Sequence, residues 1–350
     1  MRYFTGLLLL LFLLNSCTTK EVKVPVPDVS SINIDFNIDR YESQLKEIDT
    51  SNIEKSFSLL QKELPGFTDL YFQSIVPLNR DQYDELFYAD LTSLLKDKRF
   101  RFLIDTVQQL YPRFEETVGM DLEIAFKTYK YYFPKFEAPE VYTLVSEYAY
   151  QMFLFEVEPG VEGLGIGLDM FLGSSFPYHK IAPGVPTFSE YLTRSFSREY
   201  IVRKAITTLL DDRWPPERNR TLLDFMISNG KKLYVLNHIL PETPDSILIE
   251  YTGEQLKWVK DNELSIWSFL FGEELFYETN MMKINKYINP SPNSPGMPPA
   301  APGRTGNYIG WQIIKSYMEL YPETTLGELI GLPDAQKIME LAKYRPKQKK

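Results

Sequence analysis

Val141-Tyr-Thr-Leu-Val-Ser146, Ala149-Tyr-Gln-Met-Phe-Leu-Phe-Glu156 and Leu164-Gly-Ile-Gly-Leu-Asp-Met-Phe-Leu172 decide the fold class, because they interrupt a chain whose periodicity is otherwise helical. Each is a short run rich in aromatic and branched residues, which suits a strand better than a helix. Glu158-Pro159-Gly160 divides the second run from the third, as a hairpin connection would. The runs predict one small, predominantly antiparallel sheet inside a mixed α+β body that is mainly α-helical. Gly163, Gly165 and Gly167 do not make a phosphate loop: the spacing is neither G-x-G-x-x-G nor Walker A. They fit a strand that bends or packs closely against another backbone.

On the N-terminal side of these runs, apolar residues recur at helical spacing over 39–64, with a break near Asp49-Thr50-Ser51 and a stop at Pro65-Gly66. Further helices are predicted over 80–96, 99–110 and 114–132, the last two followed by Pro112 and Pro134. On the C-terminal side, Ile201, Val202, Ala205, Ile206, Leu209 and Leu210 share one face of a helix over 200–210, which Trp214-Pro215-Pro216 ends. A second helix runs over 220–240. Thr252-Gly-Glu-Gln255 opens a third, continuing to about 277, with a capping box. Six prolines over 289–302 impose a constrained loop. A helix over 307–320 follows, then a turn opened by Thr325-x-x-Glu328 and a last helix capped by Asp334. The chain has no internal repeat.

The first seventeen residues fix where the protein goes. Arg2 is a short positive region, residues 7–14 are unbroken apolar, and Leu14-Asn15-Ser16-Cys17 reads as a lipobox. Eight apolar residues reach about 12 Å as a helix, against about 30 Å of hydrocarbon in a bilayer, so this segment is a signal and not a span. The predicted organisation is a lipoprotein signal over 1–16 and an extended tether over 17–34. One body covers 35–350, helical over about 35–138 and sheet plus helices over about 139–345. Cys17 is the only cysteine among 350 residues, so it cannot form an internal disulfide, and acylation is its natural use. The rest of the composition is that of a folded globular body. Its 23 Tyr and 23 Phe can build a core, and 47 acidic against 38 basic residues exclude nucleic acid as the expected partner. The one basic cluster, 345–350, reads as a solvated tail.

Chemistry is harder to find. His179 and His238 are the only histidines and lie far apart, so no local zinc signature exists and no metal or other cofactor is expected. Gly173-Ser174-Ser175 fails the spacing of a nucleophile elbow, and Asp211-Asp212 and Glu273-Glu274 point apart as helical neighbours. The loop worth singling out is Gly303-Arg304-Thr305-Gly306, where two glycines present one cation before a helix. Asp169, His179, Arg304 and Tyr308 are the candidate ligand or partner contacts.

Four stretches also look familiar: Ile166-Gly-Leu-Asp-Met-Phe-Leu-Gly173, Leu240-Pro-Glu-Thr-Pro-Asp245, Tyr251-Thr-Gly-Glu-Gln-Leu-Lys-Trp258 and Pro302-Gly-Arg-Thr-Gly-Asn-Tyr-Ile-Gly-Trp-Gln-Ile-Ile-Lys-Ser-Tyr-Met318. Together with the lipobox, they resemble the GldB family of gliding-motility lipoproteins over almost the whole chain. That resemblance implies a cell-envelope lipoprotein required for gliding motility, and with no active site legible the expected role is a non-catalytic binding or assembly component, with other gliding or type IX secretion envelope proteins as partners. It also implies an outer-membrane lipid anchor through Cys17. Surface-exported lipoproteins of such bacteria carry an acidic run after the cysteine, whereas Thr18-Thr19-Lys20-Glu21 has one acidic residue, so the body is expected to face the periplasm. The order of elements is also similar to gluzincin metallopeptidases. The 200–210 helix lacks His-Glu-x-x-His, however, and Asn229 stands before Gly230, which implies a peptidase-like scaffold without its zinc. The rival expectation is a hydrolase of peptide or cell-wall material, with a nonstandard site around Asp169, His179 and Arg304.

Overall fold

The computed structural model describes residues 24–78, 83–181, 183–215 and 220–346. The signal segment, Cys17, the start of the tether, Arg80, Pro216 and the last residues of the basic tail lie outside them. Residues 24–37 contain no helix or strand. The chain then forms β1 (Ile38–Arg40), α1 (Tyr41–Lys46) and α2 (Ile53–Glu63), with the break between the two helices where Asp49-Thr50-Ser51 predicts it. Pro65 does not stop the helical course. It takes the first position of α3 (Pro65–Leu70), where its missing N–H costs nothing. Next come α4 (Glu85–Lys96), capped by Asp84, α5 (Lys98–Leu110), capped by Asp97, and α6 (Met120–Tyr132).

The sheet is mixed, which corrects the antiparallel expectation. Its order is β1, β2 (Glu140–Leu144), β4 (Val161–Gly167), β3 (Met152–Glu158), and only the β3–β4 pair is antiparallel. The local hairpin was legible, but strand β4 then inserts between β3 and β2 and runs parallel to β2. Strand periodicity specifies faces, not neighbours. The run read as extending to Leu172 leaves the sheet after Gly167 and turns into a 3-10 segment, Leu168–Phe171. The β4 glycines are explained by what lies across the ladder: Phe153 pairs with Gly165 and Phe155 with Gly163. Each phenyl ring lies over its glycine so closely that a Cβ would sit within 2.6 Å of it.

The C-terminal half is a helical assembly. It contains α7 (Glu190–Thr193), α8 (Ile201–Asp212), α9 (Leu222–Ile239), α10 (Asp245–Ile249), α11 (Gly253–Asp261), α12 (Glu263–Gly272) and α13 (Met281–Ile288). The chain closes with α14 (Thr305–Leu320), α15 (Leu326–Gly331) and α16 (Ala335–Ala342). The capping boxes at Thr252 and Thr325 and the Asp334 cap form as the sequence predicts. The single helix expected to reach 277 is two, because Asn262 folds its amide back onto the Trp258 carbonyl (2.9 Å) and ends α11. Helix α13 escapes sequence reading; Asn280 caps it by accepting from the Met282 N–H.

At the centre, α9 and α14 cross with their backbones in contact. A Cβ at Gly310 would lie 1.8 Å from the Met226 carbonyl oxygen, and one at Gly230 would lie 2.3 Å from the Gly310 carbonyl carbon. Gly230 and Gly310 thus set how near the helices come, and Trp311, Ile313, Ile314, Leu236 and Ile227 bury around the crossing. This approach brings the first turn of α14 beside α8 and α9.

Candidate functional site

Glu250 is the residue around which the site is built. It follows the Ile247-Leu248-Ile249 run at the end of α10, in the left-handed region (φ 56°), and its side chain is 10% exposed. Its carboxylate accepts from Arg203 Nη1 (3.2 Å) and Lys204 Nζ (2.8 Å) on α8, and from Arg304 Nη1 (2.6 Å) before α14. The α10 carbonyls are satisfied by the same cations. Arg203 chelates the Leu248 oxygen through Nε (3.1 Å) and Nη2 (2.9 Å), and Arg304 Nη1 donates to the Ile249 oxygen (3.2 Å). Arg194 donates to the Glu250 carbonyl (3.0 Å). Three cations therefore bond one carboxylate, and a fourth, Arg194, bonds the backbone of the same residue. Burial opposes the charge on Glu250, yet Arg203, Arg304 and Lys204 outweigh it and hold the carboxyl well below the usual range.

Arg304 is also left-handed (φ 63°), and it starts α14 without a side-chain cap. Two non-glycine residues in this sparsely populated region, joined by an ion pair, are held there by their surroundings at a cost of about 1–3 kcal/mol each. The surroundings are visible: the Arg304 N–H donates to the Lys286 carbonyl, Tyr251 donates to the Gly303 carbonyl (2.7 Å), and Ser294 bonds both Pro302 and Thr305. The proline-rich loop is thereby pinned against α13 and α14.

A cavity of about 290 Å³ opens beside this cluster. Its polar wall includes Arg203, Thr207 and Asp211 from α8, Asn229 and Lys232 from α9, and Arg304 and Asn307 at the start of α14, so three cations face one carboxylate across it. Leu233, Leu236, Ile249 and Ile288 supply its apolar wall. Asn229 donates to Asn307 (2.9 Å), which donates to the Ile288 carbonyl (2.8 Å). Lys232 pairs with Asp211 (2.7 Å) and lies over the Trp214 ring.

Of the four candidate contacts, Arg304 alone lines this cavity; Asp211 and Asn229, set aside on sequence, line it as well. Tyr308, one turn further along α14, is buried and donates to Glu263 (3.2 Å), which also accepts from Tyr344 (2.9 Å). His179 is exposed in a 3-10 turn, and His238 sits half-buried with Nδ1 against the Tyr234 carbonyl. Asp169 is fully buried where the chain leaves β4, and it organises the loop between β2 and β3. It accepts from the backbone of Ser146 and Tyr148 and from the Ser146 hydroxyl. Among the described residues, Asp169 and Arg304 share no hydrogen-bond partner. Arg203, Lys204, Glu250, Asn229, Lys232 and Asn307 were not found from sequence. The signals were Arg203-Lys204 interrupting an apolar helix face and Glu250 closing an apolar run.

Asp169 yields a pH prediction. Burial raises its pKa to about 6, against the lowering effect of the Tyr148 and Ser146 donors. A carboxyl with a folded pKa above its unfolded value of about 3.9 stabilises the fold most at low pH, and that contribution is lost as pH rises through about 6. The wild-type chain should lose up to about 3 kcal/mol relative to Asp169→Asn between pH 4 and 7, read from denaturant midpoints. A difference that stays flat with pH would contradict the assignment.

The fold and this site define a mainly helical protein with one small mixed sheet, built around a buried ion-pair cluster beside a cationic cavity. Residues 23–346 match the family described as gliding motility protein GldB, and the chain belongs to that family. No curated protein and no solved structure matches the chain. Membership implies involvement in gliding motility, and the lipoprotein character of the family implies a membrane-anchored place in the cell envelope. Among the described residues no helix is long and apolar enough to cross a membrane.

Proposed function

We propose that this chain serves gliding as a non-catalytic binding and assembly component. In this reading acyl chains on Cys17 hold it to the outer membrane, its body faces the periplasm, and it engages other gliding or type IX secretion proteins. The observation that supports binding over chemistry is the charge state of the cavity. Arg203 and Arg304 stay protonated in proteins, and Glu250 is held ionised by them. General acid–base catalysis works best with a group whose pKa lies near the working pH, and the Glu250 carboxyl is held well below the usual carboxylate range. The same charges speak against a hidden peptidase site, since α8 and α9 line the cavity with Arg203 and Lys232, which repel a zinc ion. The rival hydrolase reading would require Asp169, His179 and Arg304 to converge, whereas Asp169 is occupied by loop donors and His179 is solvent-exposed.

The anchor has a direct test. Cys17→Ala should abolish acyl labelling and move the protein from the membrane fraction to the soluble one, and protease added to intact cells should leave the wild-type chain uncut. Membrane retention in high salt without an acyl label would place the anchor elsewhere, and digestion on intact cells would place the body on the cell surface.

A further inference from the structure

The ion-pair cluster leaves one recognition edge free. Arg203 spends Nε, Nη1 and Nη2 on Leu248 and Glu250. Arg304 spends only Nη1, on the Ile249 carbonyl and Glu250, so its Nε and Nη2 have no partner among the described residues. These two atoms form the flat edge of a guanidinium, whose spacing matches the two oxygens of a carboxylate. The edge belongs to a residue that lines the cavity, in a left-handed conformation fixed from both sides. Around it the charge is unbalanced: the cavity wall carries Arg203, Arg304 and Lys232 against Asp211, and behind it Arg194 and Lys204 join Arg203 and Arg304 against Glu250. From this juxtaposition we infer that the cavity between α8, α9 and α14 binds a carboxylate carrying one apolar residue-sized group. The anion seats on the free edge of Arg304, and the hydrocarbon lies against Leu233, Leu236 and Ile288.

The cavity's size and lining select this ligand class. At about 290 Å³ it lies at the small end of ligand sites, enough for roughly one residue. Its apolar wall rewards hydrocarbon, and the amides of Asn229 and Asn307 stand where an adjoining amide could be met. A dianionic phosphate ester would call for several free donors, whereas Arg203 and Lys204 are already engaged with Glu250 and Lys232 with Asp211. The carboxylate could come from a free N-acylated amino acid or from the C-terminus of a polypeptide, since both present the same group. The inference rests on the binding reading proposed above and adds the ligand to it.

The test is titration calorimetry of the full acylated chain in detergent micelles with N-acetyl-leucine, N-acetyl-leucinamide, a leucine-ended pentapeptide and inorganic phosphate. N-acetyl-leucine should bind at least tenfold more tightly than its amide and than phosphate. Arg304→Lys, which keeps the charge but loses the flat edge, should weaken it at least tenfold. Because Arg304 also pairs with Glu250, a second variant avoids the cluster. Thr207→Phe gives up only the bond to its own helix's Arg203 carbonyl, fills the cavity and should weaken binding as much, with the melting temperature checked alongside. Tighter binding of the pentapeptide than of N-acetyl-leucine supports a polypeptide C-terminus, and equal binding supports the free acid. Equal affinity for acid and amide, or tighter binding of phosphate, overturns the inference. Mass spectrometry of the recovered pentapeptide separates the two readings: a shortened peptide refutes the non-catalytic role, while an intact peptide, with neither it nor N-acetyl-leucine bound, refutes only the carboxylate site.

Discussion

Glu250→Ala should be the most damaging single change to the charge cluster, lowering stability by about 3–5 kcal/mol. The estimate follows from what is left behind: Arg203, Lys204 and Arg304 lose their common carboxylate while remaining largely buried, with side-chain exposures of 12%, 15% and 18%. Breaking a buried pair by removing one partner costs more than the pair contributed, because the remaining charges stay largely desolvated without their counter-ion. For a body of this size the melting temperature should fall by roughly 5–10 °C. The pH dependence has a definite sign. The folded-state pKa of Glu250 is depressed, so its stabilisation is present above the ordinary glutamate range and lost as pH falls toward the depressed value. The gap between wild type and Glu250→Ala should therefore close on acidification. A gap unchanged from pH 7 to pH 3 would show that the carboxylate is not held by the cations.

Gly310→Ala is expected to be comparably severe for a different reason. The added methyl would stand 1.8 Å from the Met226 carbonyl oxygen, and the obstacle is backbone, which has no rotamer into which to retreat. Overpacking of cores costs about 1–3 kcal/mol where side chains can yield, and this site should reach or pass the top of that range. The only relief is to part α9 from α14, which would also pull Asn307 and Arg304 away from Asn229. Gly327→Ala is the matched control. Nothing lies within 4 Å of its would-be Cβ in α15, and exchanging glycine for alanine in a helix favours the folded state by up to about 1 kcal/mol. Denaturant midpoints of the two variants moving in opposite directions would bear out the crossing geometry. A neutral Gly310→Ala would refute it.

These two positions also show why part of the molecule could be read in advance and part could not. The helices announce themselves through local signals. The capping pairs Thr252 with Gln255 and Thr325 with Glu328 lie three residues apart, and the apolar face of α8 repeats within one helix. The β3–β4 hairpin was similarly local. The parallel pairing of β4 with β2 was hidden, because it depends on which strand slides in beside another, and β1 is only three residues long. The cluster was harder still. Glu250 meets Arg203 across 47 positions and Arg304 across 54, and each of these residues reads alone as an ordinary surface charge. Arg304 was legible because flanking glycines mark an unusual backbone. Asp169 and Tyr308 were noticed too, but their polar atoms are taken up by Ser146, Tyr148 and Glu263, which makes them fastenings of the fold.

The central proposal is that α8 and α9 frame a binding cavity and not a metal-dependent active site. Elemental analysis of the purified full chain, paired with thermal unfolding in the presence and absence of a chelator, tests this most directly. Among the described residues no group of three His, Cys, Asp or Glu side chains could hold a metal ion, and a catalytic zinc needs three such ligands around an open position. The account predicts well under one zinc per chain and a melting temperature that chelator does not move. One zinc per chain, lost on chelation together with several degrees of melting temperature and abolished by His179→Ala or His238→Ala, would contradict it.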